Sequence, residues 1–383
     1  MERVFKKNEV MELNQEKNKI QERLYSLDLL KTIAIICVIF IHNFYLKANY
    51  YEDNRLNVYL NYIIKMLINL GVPIFMMVNG YLLFMKPFRL EKHYTKVLNI
   101  IKIFFIWMFI INIIMINFSE KNINGIEIFI KETLQSVKIG GSAGYLWFLY
   151  ALIQVYILFP LFKITYDNNK KAFYVVFGII VFFTVILATV GMILSLIENS
   201  IKINNLKNTV ISFINNFNIT GNWGYYTCFF LTGAVIYDNR EKISNNKARI
   251  IAWICLCISI LFIFLYSLVQ TKLTNKLVDF NPYNSIFSEI IIISMFVILN
   301  KIENKNRLYN KVIMRIGKNS LGIYLFFWIY TKILKNLINN LGCEIYLENI
   351  VANAFIVFFV LFISYISNEV TNKIPLLKKI VKI

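Results

Sequence analysis

Charge is scarce in this chain. Of its 383 residues only 16% are charged and 58% are hydrophobic, whereas a soluble globular protein carries about 25% charged and about 45–50% apolar residues. The deficit runs nearly the whole length, so an ordinary soluble enzyme is excluded and a polytopic membrane protein is expected. Cysteine is sparse as well. The five present (Cys37, Cys228, Cys255, Cys257 and Cys343) lie mostly in apolar runs, with neither metal-type CxxC spacing nor a paired framework. Core packing is their expected role, with no metal and no bound cofactor. Histidine occurs only twice, at His42 and His93. A cleavable signal pattern is also missing, because residues 1–28 are charged and hold no apolar core. The first hydrophobic segment is therefore expected to stay as a helix.

The charges that do occur are one-sided, with 41 basic against 22 acidic residues and a net charge of +19. In a soluble protein that excess would suggest nucleic acid. Here the basic residues fill the gaps between apolar runs, which the positive-inside rule explains without any nucleic-acid partner. Abundant Asn, Ile and Lys fits an AT-rich bacterial genome, and the expected location is the bacterial plasma membrane.

A membrane-crossing helix needs about 20 mostly apolar residues. About ten segments qualify, roughly 29–46, 57–85, 97–118, 145–165, 172–197, 223–237, 249–269, 283–300, 317–338 and 347–368. The second is long and the sixth short. With the N-terminus inside, the cytoplasmic segments collect 27 basic residues and the external ones 11. Each cytoplasmic loop is at least as basic as any external one, a bias that an error in one span would destroy. The expected fold is an all-α polytopic bundle of about ten transmembrane helices with both termini cytoplasmic. Residues 1–28 form a basic cytoplasmic segment, 29–368 the membrane domain and 369–383 a basic tail. No internal repeat and no appended soluble module is visible, and the external loops at about 119–144 and 198–222 hold no obvious folded domain.

Within the first span, KTIAIICVIFIH (31–42) places Lys31 and His42 eleven positions apart. Eleven positions make three helical turns plus about 20°, so both lie on one face, roughly 16 Å apart along the axis. Asp28, three positions before Lys31, shares that face. Two readings stand for the pair: Lys31 snorkels to the headgroups with Asp28 as ion partner, or both serve a site. His42 lies deeper, where an ionisable group is costly and usually faces a bundle interior or wet cavity. Imidazole also suits general-base work near neutrality.

Other polar groups interrupt the spans. Lys65 and Glu289 are each a site hypothesis, or together a structural pair across the bundle. Asn79 precedes Gly80, where a backbone can approach a ligand, or serves helix–helix hydrogen bonding. Tyr145, Trp147 and Trp223 sit at helix ends near the interface, where aromatic anchoring is the plain alternative. His93 falls in a basic loop and is expected to be solvated.

Several stretches in order resemble the acyltransferase family 3 membrane proteins, which acylate cell-envelope glycans and related molecules. LDLLKTIAIICVIFIH (27–42) resembles that family's first helix, in which an acid, a base, ten residues and a histidine follow one another. VPIFMMVNGYLL (72–83), YLWFLYALIQVYILFP (145–160), FFLTGAVI (229–236) and IGKNSLGIYLFF (316–327) resemble its later motifs. The resemblance covers about residues 23–368. The chain has Lys31 where the family more often has Arg, Asn79 where Ser is common, and Phe327 where a histidine usually follows the Ser-Leu-Gly-Ile-Tyr run.

That resemblance implies acyl transfer, most often of acetyl, from a cytoplasmic coenzyme A thioester to a hydroxyl of an envelope polysaccharide. His42 would be the general base, with Asp28 and Lys31 completing the catalytic set. Lys31, Arg23, Lys92 and Lys96 would meet the phosphates of acetyl-CoA, although the last three equally fit positive-inside charge. Asn79, Tyr81, Tyr145, Trp147, Lys65 and Glu289 would line the substrate pocket. Lys31 is closer to the branch of envelope-polysaccharide acetylases, some of which are described as exporters. A polysaccharide export component without acyl transfer is therefore the alternative, and a non-catalytic assembly subunit a third. Inverted repeats or paired broken helices, common in transporters, are not visible.

Overall fold

The computed structural model describes residues 25–116, 125–137, 143–218, 220–221, 224–278, 283, 285–300 and 307–381. Among these residues the regular structure is helical, with no strand. Inside a bilayer that follows from the backbone, since a helix satisfies its own N–H and C=O groups where no water can.

Among the described residues, eight helical segments are long and apolar enough to cross a membrane. They comprise α1 (Tyr25–His42), the pair α2 (Leu56–Ile68) and α3 (Gly71–Met85), α4 (Leu90–Ile116), and α6 (Trp147–Asn168) with its preceding turn. The others are α7 (Lys170–Val181) continued by α8 (Leu187–Ile201), α11 (Asn246–Thr274), α14 (Ser320–Leu341) and α15 (Ile350–Lys373). The two remaining sequence-predicted spans are shorter: α10 (Gly224–Asp238) has 15 residues and α12 (Ile286–Leu299) has 14. α10 is buried along most of its length. Several helices open on polar caps, as where Asn169 accepts from the Ala172 N–H and Asn245 from that of Ala248.

The long second span is two helices because Asn69 and Leu70 form a turn between them. Pro73 contributes there, since it has no N–H for the carbonyl four residues earlier. α3 then crosses α10 with the backbones in contact. A Cβ on Gly80 would stand 1.8 Å from the Phe230 carbonyl oxygen, and one on Gly233 would stand 2.0 Å from that of Met77. α7 passes into α8 through a π-turn at Phe182–Ile186, a feature frequent at functional sites.

Segments expected to be loops also contain helices: α5 (Gly125–Val137), α9 (Leu206–Asn215), and the basic α13 (Arg307–Lys318) that leads into α14. α16 (Pro375–Lys378) follows α15. α5, α9 and α13 are amphipathic, so each can lie along an interface with too few apolar residues to cross it.

α1 and α14 run parallel. Asp28 meets Gly317 at one end, and Asn43, just beyond α1, bonds Thr331 at the other. Parallel helices need an even number of crossings from one to the next, as the alternating loop charges require. Hereafter the two ends of the bundle are the Lys31 end and the His42 end.

His93 is a correction. It is not solvated but 6% exposed on α4, and its Nε2 donates to the Tyr156 carbonyl at 2.7 Å. The cause is Pro160 inside α6. Proline has no N–H, so the carbonyl four residues earlier, that of Tyr156, loses its helical donor. His93 supplies the replacement, which fixes its Nε2-protonated tautomer.

Candidate active site

At the Lys31 end, Lys31 Nζ lies 3.3 Å from Asp28 Oδ1, and Asp28 is only 3% exposed. Its other oxygen, Oδ2, is buried without a hydrogen-bond partner. The junction of α13 and α14 presses on this residue, since a Cβ on Gly317 would fall 2.5 Å from the Asp28 carbonyl oxygen. Only glycine allows that approach. Thr32 fastens the same junction, its hydroxyl lying 2.8 Å from the Asp28 carbonyl and 3.1 Å from that of Ile313. The charge of Lys318 also acts on Asp28, and those of Lys31 and Lys86 act on Lys96. Lys31 and Lys96 are thus brought together, whereas Lys92 is exposed on the surface of α4. Arg23 lies outside the described residues, as does Trp223. Lys318 and Lys86 escape sequence reasoning because they resemble any other loop lysine.

At the opposite end, the half-buried His42 ring packs edge-on to Trp328 at 5.1 Å and lies 5.5 Å from Phe327. Among the described residues the imidazole makes no hydrogen bond. Lys332 and Lys335 are close enough for their charges to act on it, and Lys332 Nζ sits 4.9 Å over the Trp328 ring. Trp328 in turn stacks on Tyr145 at 5.1 Å. Tyr145 is held at both ends: its hydroxyl donates to the Leu325 carbonyl at 3.0 Å, and its own carbonyl accepts from Tyr324. Asn43, fully buried beside His42, donates to Ile39 and Thr331, and its carbonyl accepts from Asn353 at 3.0 Å. These contacts fix the end of α1 against α14 and α15, and with it the position of His42.

The remaining candidates are spread over α2, α3, α6 and α12. Asn79 donates to the Phe75 carbonyl and accepts from the Tyr156 hydroxyl at 3.3 Å, and Lys96 lies 5.4 Å over the Tyr156 ring. Tyr81 is buried against Tyr237 and Phe296. Trp147 packs on Tyr226 and Tyr283. Lys65 is half-buried on α2. The Glu289 carboxylate takes its hydrogen bonds from Cys228 at 3.1 Å and Thr232 at 3.3 Å, both on α10, so the structural pair with Lys65 does not form. His42 therefore stands in an aromatic and cationic frame drawn from α14 and the start of α6. Lys31 stands in a separate basic group three turns away.

No curated protein and no solved structure matches the chain. A family model described as an acyltransferase domain does match, over residues 24–369, and that range contains both ends of the site. By that match the chain belongs to acyltransferase family 3, and it is a multi-pass membrane acyltransferase.

Proposed function

We propose that the protein transfers an acetyl or short acyl group from acyl-CoA to a hydroxyl of a bacterial cell-envelope polysaccharide, with His42 as general base. One observation carries this. The half-buried imidazole, with no hydrogen bond to a described residue, shares a helix with the Asp28–Lys31 pair, whose end of the bundle also carries Lys96 and Lys318. A free imidazole can accept a proton, and a group of lysines suits the donor's phosphates.

The reaction balances on these residues. His42 takes the proton of the acceptor hydroxyl as its oxygen attacks the thioester carbonyl. The carbon–sulfur bond of the tetrahedral intermediate then breaks, and the imidazolium returns the proton to the departing thiolate. The product is an ester and free coenzyme A. Lys31 and His42 are roughly 16 Å apart along α1, so the donor's flexible pantetheine arm would carry the thioester from the cytoplasmic mouth toward the imidazole. Lys332 and Lys335 near His42 would favour the oxyanion that forms on the carbonyl.

Export without chemistry is the competing activity. Purified protein in liposomes, given labelled acetyl-CoA outside and envelope glycan inside, separates the two. Label on the glycan with stoichiometric release of coenzyme A is expected. Glycan movement without either product would establish export instead.

A further inference from the structure

A cavity of about 540 Å³ lies between α8, α9, the start of α10 and the second half of α11. It is separate from His42, for no residue of α1 or α14 lines it. It opens at the same end of the bundle. Tyr50 and Tyr62, in and after the loop that follows His42, bond Ser267 at 2.7 Å, and Tyr50 also bonds Thr271. Next to these on α11, Tyr266, Gln270 and Thr274 face the cavity. The π-turn at Phe182–Ile186 supplies Phe183 and Thr184 to its wall.

The lining defines the ligand. Asn199, Asn218 and Gln270 contribute amides, Ser195 and Tyr266 hydroxyls, and Lys207 is the one charged side chain among the described lining residues. Asn199 donates to Gln270 at 2.6 Å across the space. An amide has two donors and two acceptor lone pairs, so capacity remains for a guest. Asn218 also bonds Asn215 and Thr220, and Gln270 bonds Tyr266, so an acyl tail would leave only the remaining donors and acceptors of these groups unpaired. A polyphosphate chain would require more than one cation. What fits is a hydrogen-bonding, polyhydroxylated chain with apolar C–H faces. Tyr225 gives those faces a ring to lie on, and the rings continue through Tyr226 to Trp147. Two residues before Trp147, Tyr145 stacks on Trp328, against which His42 sits.

We propose that this cavity holds a saccharide segment next to the sugar that reacts at His42, so that the acceptor is an oligo- or polysaccharide and not a free sugar. This rests on the glycan acyltransferase reading above. The test uses full-length protein in detergent and end-labelled envelope glycan from the producing strain, followed by fluorescence anisotropy. Wild type and His42→Ala should bind the intact glycan alike. Asn199→Ala/Gln270→Ala should bind at least tenfold more weakly, and Ser195→Trp, which fills the cavity, should do the same while eluting as a single species. Unlabelled intact glycan should compete, and its monosaccharide hydrolysate should not. Wild-type affinity in both cavity variants, equal competition by the hydrolysate, or no binding by wild type would overturn the proposal. So would co-purified phospholipid that Ser195→Trp loses while its glycan affinity is unchanged. Cavity-dependent binding without acyl transfer would overturn the catalytic reading and leave the cavity as a saccharide site alone.

Discussion

His42→Ala separates a catalytic imidazole from a packing one, because the two roles differ in size. General-base catalysis typically contributes about 10²–10⁴-fold, which at 1.36 kcal/mol per decade is about 2.7–5.4 kcal/mol of barrier. The packing energy that leaves with the ring is smaller. The imidazole rests on Trp328 and Phe327, and an aromatic pair is worth about 0.5–1.5 kcal/mol. No hydrogen bond to a described residue is broken. Acyl transfer in proteoliposomes should therefore fall by at least a hundredfold in kcat, while the thermal unfolding midpoint moves only slightly. Asn43→Ala is the contrasting control. It removes two side-chain hydrogen bonds from a fully buried amide and leaves the Thr331 hydroxyl without its donor. It should lower the midpoint more than His42→Ala and lower kcat less. A His42→Ala protein with more than a tenth of wild-type kcat would refute the assignment. A loss of activity that merely follows loss of stability across the two variants would refute it too.

Lys31→Ala should raise KM for acetyl-CoA about tenfold or more, since a hydrogen bond to a charged group is worth about 1.5–3 kcal/mol, while Lys31→Arg should keep KM near wild type; equal KM in all three proteins removes the proposed role. Gly233→Leu should abolish monodisperse protein, because its Cβ would meet the Met77 carbonyl oxygen at 2.0 Å and a helix backbone cannot yield; normal size-exclusion behaviour would contradict the crossing. His93→Ala should cost about 1–3 kcal/mol by leaving the Tyr156 carbonyl without a donor, and Pro160→Ala in the same chain should recover most of that by restoring the helical N–H. Additive losses in that double variant would show that the histidine does not replace the proline's missing donor. Phe327→His should reduce stability, because Phe327 is fully buried and an imidazole there lacks an evident partner. A tenfold gain in kcat from it would instead mean that one histidine is too few.

The sequence revealed the fold through hydropathy and loop charge. Each expected span coincides with a helix, yet α10 and α12 are too short for hydropathy and length alone to define them as crossings. The burial of α10 depends on a neighbour distant in sequence, α3 at the Gly80–Gly233 crossing, which appears in the chain as two unrelated glycines. α5, α9 and α13 escape because an amphipathic helix at an interface has the charge content of a loop. His93 misleads for a similar reason. Its surroundings in sequence are basic, while the group that needs it, a carbonyl freed by Pro160, lies 63 residues further on.

The candidate site was legible only along α1. Helical spacing put Asp28, Lys31 and His42 on one face, and the ion pair forms as that spacing required. The remainder of each end comes from elsewhere in the chain, and the motif near residue 320 shows how. Its Gly317 is what lets the α13–α14 junction press on Asp28, and about three turns later Phe327 and Trp328 reach His42. α13 and α14 together therefore brace both ends of α1, and this requires α1 and α14 to be parallel and in register over that length. Phe327, which looks in the sequence like the loss of a histidine, occupies the place beside His42 where a second imidazole would lie. The catalytic proposal for this chain accordingly rests on a single base, with Trp328, Lys332 and Lys335 as its surroundings.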